Sequence, residues 1–269
     1  MQALFQIDDW DVPFAAAGAT RADATVATQG DASRAVRLAS VSKPVTALAV
    51  LVAAEEGVVD LDEPAGPPGS TVRHLLAHAS GLPFDGDRPI SPPGTRRIYS
   101  NEAFRVLGDH LAQRAEMPFA AYVRAAVCEP LGLGLDPDGH PGSGMHASLE
   151  DMLALGRELL APTLVALETH DEMVAVQFPG LDGVFPDWGR FSPLDWGLGV
   201  ELKGEKSPHW SGSRTSPKTY GHFGGSGTFL WVDPDLGAAC AVLTTREFGD
   251  WAKEAWPRLS NAVHAELEP

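Results

Sequence analysis

The chain has 269 residues, 44% of them hydrophobic, which is enough to bury a large core in one or two domains and too apolar for a disordered chain. Its 36 Asp and Glu against 20 Lys and Arg give a formal net charge of -16, which argues against nucleic acid and anionic membrane as partners, because both are bound by basic surface. The two cysteines, Cys128 and Cys240, lie far apart in apolar surroundings with no Cys-x-x-Cys spacing, and read as small buried hydrophobes.

The N-terminus, Met1 to Trp10, has no basic stretch and no long apolar stretch, so it does not read as a secretory signal, and a cytoplasmic location is the expectation. Residues 1–38 read as short extended pieces, with Thr25–Thr28 and Ala35–Leu38 as candidate strands around a Gln29-Gly30-Asp31 turn. Ser40 to Glu56 reads as a buried helix closed by Gly57, and Pro44 is tolerated in its first turn, where N–H groups have no intrahelical acceptor. The apolar run Val45–Ala54 stops at Glu55-Glu56, short of a membrane span. Thr71–Ala79 reads as a short helix ending at Ser80-Gly81-Leu82-Pro83, followed by a Pro- and Gly-rich loop over 85–95. Asn101–Arg114 and Pro118–Val127 read as helices. Ser148–Leu160 is another, with Ser148 as N-cap and Asp151 three residues on. Residues 179–196 read as irregular. The tail holds two strand-like runs, 227–232 and 238–243, joined by the hairpin signal Asp233-Pro234-Asp235-Leu236-Gly237, and a closing amphipathic helix over 251–267.

Strands thus fall at both ends of the chain and helices between them. The expected fold class is α+β: an antiparallel sheet built from both chain ends, flanked by helices, with an all-helical insertion. The expected organisation is one catalytic unit of two lobes, a sheet lobe of about 1–38 plus 197–269 and a helical lobe of about 39–196, with the site between them.

Chemistry concentrates in three places. In Ser40-Val41-Ser42-Lys43 the offset of three places Ser40 and Lys43 on one helix face, and a lysine kept neutral in a dry pocket can take the proton of a serine nucleophile. Ser42, adjacent to the lysine, would face away. The bland alternative is an N-cap serine before a solvated lysine. In Tyr99-Ser100-Asn101, a phenol able to shuttle a proton precedes an amide able to bind substrate and hold the lysine; the alternative is a loop-fixing aromatic with Asn101 capping the next helix. In His222-Phe223-Gly224-Gly225 the glycines allow close backbone approach beside a strand whose free N–H groups can form an oxyanion hole, and His222 can anchor a carboxylate or assist proton transfer. The alternative is a Gly-rich bend with a surface histidine. His74 and His78 are spaced i, i+4, but no third ligand is evident, so no metal site is expected. Gly-x-Ser-x-Gly and nucleotide-binding fingerprints are absent from the sequence.

Taken in order, Ser40-x-x-Lys43, Leu75-Leu76-Ala77-His78-Ala79-Ser80-Gly81-Leu82-Pro83, Pro93-Gly94 leading to Tyr99-Ser100-Asn101, and His222-x-Gly224-Gly225 resemble the class C β-lactamase-like serine hydrolases. That superfamily includes DD-peptidases, family VIII esterases and D-aminopeptidases. Glu129-Pro130-Leu131-Gly132-Leu133 and Trp196-Gly197-Leu198-Gly199 fit the same pattern. The resemblance implies Ser40 as the acylated nucleophile, Lys43 and Tyr99 as base and proton relay, and Asn101 as a substrate-binding residue that orders the lysine. It places the oxyanion hole at the backbone N–H groups of Ser40 and Gly225, with Gly224 and His222 lining the substrate site, and it requires no metal or organic cofactor. Two departures stand out: the chain is short for the family, with no obvious N-terminal helix, and His222 stands where penicillin-recognising relatives usually carry lysine. A histidine largely neutral at pH 7 is a poorer carboxylate anchor than lysine. The expected function is therefore a serine hydrolase acting on small esters or amides, most simply a carboxylesterase. The alternatives are a β-lactamase or D-alanyl-D-alanine carboxypeptidase, and a non-catalytic binding module on the same fold. The partner expected in each enzymatic case is a small-molecule ester, amide or β-lactam.

Overall fold

The two C-terminal runs are apolar at nearly every position, so a sheet built from them has to be covered on both faces. In the computed structural model, which describes residues 1–268, helices cover each face. The strands are β1 (Ala15–Thr20), β2 (Thr25–Gln29), β3 (Val36–Arg37), β4 (Arg97–Ile98), β5 (His146–Ala147), β6 (Gly183–Phe185), β7 (Gly189–Phe191), β8 (Glu201–Leu202), β9 (Tyr220–Gly224), β10 (Thr228–Asp233) and β11 (Ala238–Thr244). The helices are α1 (Ser42–Glu55), α2 (Val72–Leu76), α3 (Asn101–Arg114), α4 (Phe119–Val123), α5 (Glu129–Leu131), α6 (Leu149–Leu160), α7 (Leu167–Val174) and α8 (Asp250–Leu267). Among the described residues no helix is long and apolar enough to cross a membrane.

The main sheet has the order β2-β1-β11-β10-β9-β8, and its neighbours are antiparallel. Both chain ends build it, as the sequence pattern implies. Its side chains alternate by residue: Leu230, Val232, Ala239, Ala241 and Leu243 face α1 and α6, whereas Phe229, Trp231, Cys240 and Val242 face α8. The fully buried Trp231 keeps its indole N–H satisfied by donating to Ser260 Oγ at 3.1 Å. The intervening region is helical in its main elements, with two small sheets added, β3–β5 and β4–β6–β7.

The N-terminal part departs most from the sequence expectation. Residues Gln2–Asp9 form a 3₁₀ helix that buries Ala3, Leu4 and Ile7 against the α8 layer, rather than an extended piece. The run Ala15-Ala16-Ala17-Gly18-Ala19-Thr20 forms β1 inside the sheet, although alanine and glycine are poor strand formers. Its small residues serve helix-on-sheet packing: a Cβ on Gly18 would lie 2.8 Å from Leu153 Cδ1 of α6, and one on Gly156 would lie 3.1 Å from Ala239 Cβ of β11. The expected strand at 35–38 shrinks to β3, which pairs with β5 outside the main sheet. The segment 179–196 is less irregular than expected, since β6 and β7 form a hairpin there.

One buried polar cluster braces the β8 end of the sheet. Glu201 lies 2.7 Å from Lys206 Nζ and 2.9 Å from His209 Nε2, and accepts from Trp210 Nε1 at 3.2 Å. The Lys206 ammonium and His209 outweigh burial and hold the Glu201 carboxyl at about 2. A carboxyl depressed in the folded state contributes stability that is present above its unfolded pKa near 4.3 and is lost as pH falls through about 2. Glu201→Ala leaves a buried ammonium unpaired, so a loss of about 3–5 kcal/mol is expected at pH 7, together with a thermal midpoint lower by about 10 °C. Denaturant melts of both forms at pH 7 and pH 3 check this; equal midpoints at pH 7 would remove the cluster from the stability argument.

Candidate active site

Ser40 lies on a 3₁₀ turn, Ala39–Val41, immediately before α1, rather than in the α-helix itself. A 3₁₀ turn brings residues three apart nearly into line, and Ala39, at φ 47°, sets up the change of direction. Ser42 is fully buried, donates to Ala39 O at 2.7 Å and accepts from Met145 N at 3.2 Å. It therefore secures the turn, and Ser40 is left half-buried at the head of a cleft.

Lys43 Nζ reaches three oxygens: Ser40 Oγ at 3.2 Å, Asn101 Oδ1 at 2.8 Å and the Gly142 carbonyl at 2.9 Å. The last two only accept, so they take two N–H groups of the amine. In the neutral amine the remaining tetrahedral position is a lone pair directed at the Ser40 hydroxyl. Burial pushes the Lys43 pKa well below its ordinary 10.5, opposed only by the charge of Asp85. Lys206 is comparably buried but has the Glu201 carboxylate at contact; among the described residues Lys43 has no carboxylate partner. In place of a contacting carboxylate, the Tyr99 and Phe104 rings lie 4.7 and 5.3 Å from Nζ at their centroids, a weaker support for its cation.

Tyr99 and Asn101 come from the junction of β4 and α3. The cap of α3 is Ser100, whose Oγ accepts from Ala103 N at 2.9 Å, so capping does not account for Asn101. The Arg97 guanidinium anchors this segment on the carbonyls of Ala77, Gln177 and Leu194 at 2.6–3.0 Å. Burial raises the Tyr99 phenol pKa, and the neighbouring Ser40 hydroxyl offsets this in part. The phenol oxygen lies 3.5 Å from His222 Nε2.

His222 belongs to β9 and is buried, which removes the alternative of a Gly-rich bend with a surface histidine. Its Nδ1 lies 2.6 Å from the Phe223 carbonyl, an obligate acceptor, so Nδ1 carries the ring proton and Nε2 presents a lone pair to Tyr99. Burial first, then the Lys43 charge, pushes its pKa down to about 3, so the ring is neutral at pH 7. A Cβ on Gly224 would sit 2.2 Å from the Leu38 carbonyl, so the glycine lets β9 close onto the segment that carries Ser40. At Gly225 the same position is open space. Among the described residues no acceptor takes the backbone N–H of Ser40 or of Gly225, and both residues line the cleft.

The cleft holds about 520 Å³ and is also lined by Arg37, Phe84, Ser143 and Glu247, which sequence reasoning did not single out. Phe84 stacks on Tyr99 at 6.0 Å, and its carbonyl accepts the Asn101 N–H at 2.9 Å. The Gly142 carbonyl was likewise invisible, because every residue carries one. His74 and His78 do not converge: Nδ1 of His74 pairs with Thr71 Oγ1 at 2.9 Å, whereas His78 lies against Tyr99.

An antiparallel sheet flanked by helices, with a Ser-x-x-Lys turn facing a Tyr-x-Asn segment, defines the class of β-lactamase-like serine hydrolases. The chain belongs to the Beta-lactamase family, whose sequence model matches residues 8–134 and 133–264. A crystal structure of a β-lactamase from Mycobacterium bovis is 50% identical and covers 98% of this chain and 99% of that one, with a TM-score of 0.97. EstCE1, a hydrolase with promiscuous acyltransferase activity, is 19% identical with a TM-score of 0.80, covers 98% of this chain and 97% of that one, and shares the fold. A Salmonella enteritidis PT4 protein provisionally named a D-alanyl-D-alanine carboxypeptidase is 26% identical over 57% of this chain and 46% of that protein. The chain thus spans about half the length of the curated relatives it matches.

Proposed function

We propose that this chain hydrolyses small carboxylic esters or amides through an acyl-enzyme on Ser40, in a cleft between its sheet and its helical region. The observation that carries this reading is Lys43: buried, without a carboxylate partner among the described residues, and 3.2 Å from Ser40 Oγ with two N–H groups already committed. In the forward step Ser40 Oγ bonds to the substrate carbonyl carbon while its proton passes to Lys43. The backbone N–H groups of Ser40 and Gly225 receive the developing oxyanion. The Tyr99 hydroxyl gives its proton to the leaving alkoxide or amine as the C–O or C–N bond breaks, and regains one from Lys43. Water then attacks the acyl-enzyme, and the same groups run in reverse. Asn101 holds Lys43 and presents its amide N–H to the substrate.

The ester preference rests on His222. A neutral, buried imidazole offers no charge to a substrate carboxylate, and a charge-assisted hydrogen bond is worth about 1.5–3 kcal/mol. A second reading, hydrolysis of β-lactams or D-alanyl peptides, is favoured by Arg37 at the cleft and by the name of the M. bovis relative. Steady-state kinetics with p-nitrophenyl acetate and butyrate against nitrocefin and a D-Ala-D-Ala peptide separates the two. The expected kcat/KM for the uncharged esters exceeds that for the carboxylate-bearing substrates by about 10- to 100-fold. The reverse order would transfer the assignment to the second reading. Absence of both turnover and acylation would leave a binding module.

A further inference from the structure

We infer that His78 is a positioning residue that fixes Tyr99 for proton transfer by holding the backbone amides on either side of it. The inference rests on the proposed role of Tyr99. His78 follows α2 and is fully buried, with φ 55°. Its carbonyl accepts the Ile98 N–H at 2.9 Å, and its Nδ1 accepts the Ser100 N–H at 3.1 Å. One residue thus satisfies the two amides that flank Tyr99 in sequence. Its ring also packs on the Tyr99 ring, with centroids 4.5 Å apart, and is backed by Phe104 at 5.4 Å and Trp196 at 5.0 Å. Backbone and side chain of Tyr99 are therefore both held by this one neighbour.

The arrangement carries two visible costs. A non-glycine residue at positive φ is strained, and the His78 Nε2 is buried with no hydrogen-bond partner. Because Nδ1 accepts, the neutral ring carries its proton on that unpartnered Nε2. Burial lowers the His78 pKa well below 6.5, which agrees with a neutral ring. Asparagine would relieve the backbone strain and leucine would remove the orphaned donor, but neither supplies both an acceptor for Ser100 and a flat face for the phenol ring. Strain and an unpaired polar atom that coincide at one residue next to the chemistry point to a constraint from function rather than from folding alone.

A double-mutant cycle on p-nitrophenyl ester turnover tests this, using His78→Ala, Tyr99→Phe and the pair. A displacement of the phenol by about 1 Å costs about 100-fold, so His78→Ala is expected to lower kcat about that much with KM changed less than about threefold. In the Tyr99→Phe background, where there is no phenolic proton to position, the same change is expected to cost less than about threefold. His78→Asn tolerates the left-handed backbone and places Oδ1 where Nδ1 was, so it is expected to lose less than about tenfold. Equal losses in both backgrounds, or an asparagine variant as poor as alanine, would overturn the inference. If the alanine variant does not fold, the asparagine cycle decides, on whether its loss disappears in the Tyr99→Phe background. Full kcat in Tyr99→Phe alone would instead refute the role of Tyr99, whereas a large loss there beside an unaffected His78→Ala would refute only the positioning role.

Discussion

Ser40→Ala is expected to lower ester turnover by about 10⁴-fold or more and to abolish the mass increment left by a fluorophosphonate probe. The reasoning is local. Ser40 Oγ is the oxygen in the cleft that meets the lone pair of Lys43, and among the described residues it is the one hydroxyl hydrogen-bonded to Lys43 Nζ. Alanine removes only that oxygen, whose contact with Lys43 at 3.2 Å is the longest of the three that Lys43 Nζ makes, so the fold is expected to survive. The amides of Ser40 and Gly225 remain in place, which leaves a small residual rate from oxyanion stabilisation and binding. Ser42→Ala is the informative control. Its hydroxyl ties Ala39 O to the Met145 N–H, so its loss leaves the buried Met145 N–H unpaired and costs about 1–3 kcal/mol of stability while probe labelling persists. Intact mass with peptide mapping decides: an adduct on Ser42, or full turnover by Ser40→Ala, removes Ser40 from the chemistry.

What the sequence makes legible follows what local physics determines. The offset of three between Ser40 and Lys43 is a property of one turn, and it survives the discovery that the turn is 3₁₀ rather than α. The Ser148–Asp151 capping box forms with both of its bonds, and the 233–237 hairpin joins β10 to β11 as its composition implies. What stays hidden depends on distant parts of the chain. The alanine-rich β1 is a strand because α6 needs small residues beneath Leu153, a demand written about 135 residues away. The Gly142 carbonyl that completes the Lys43 cage has no residue-type signature at all. The surface alternative for His222 stays open in the sequence because its burial is imposed by Trp196 and Tyr99, which pack on it at 5.7 and 5.8 Å. Charge state is the deepest of these hidden properties, because it depends on what is absent from around a group as much as on what is present.

Lys43 makes that point measurable. The ester kcat/KM is expected to rise tenfold per pH unit along a single acid limb and to level off well below pH 10.5, because only the neutral amine can accept the Ser40 proton. The other groups facing the site do not supply this limb. His222 titrates near 3, the Tyr99 phenol is raised and stays protonated, and burial lowers both His78 and His140, so these rings are already neutral at pH 7. Asp85 is the carboxylate whose charge favours the ammonium, so Asp85→Asn is expected to move the limb to lower pH. Lys43→Arg retains the charge and cannot deprotonate, so it is expected to cost about 10³-fold or more and to erase the limb. Profiles of the three proteins between pH 5 and pH 10, with an ester lacking ionisable groups, provide the check. A wild-type limb centred near 10.5, or one that Asp85→Asn leaves in place, would show that Lys43 is an ordinary ammonium. The same depression fixes a sign for stability. The folded state releases the Lys43 proton before the unfolded chain does, so the unfolded chain binds more protons between the lowered pKa and about 10.4, and stability rises with pH across that window. Below the window the buried amine subtracts from stability, because the folded state must either shed the proton or carry a desolvated charge. The condition that fits Lys43 for the proposed role of base is thus the same condition that makes it a destabilising residue at neutral pH.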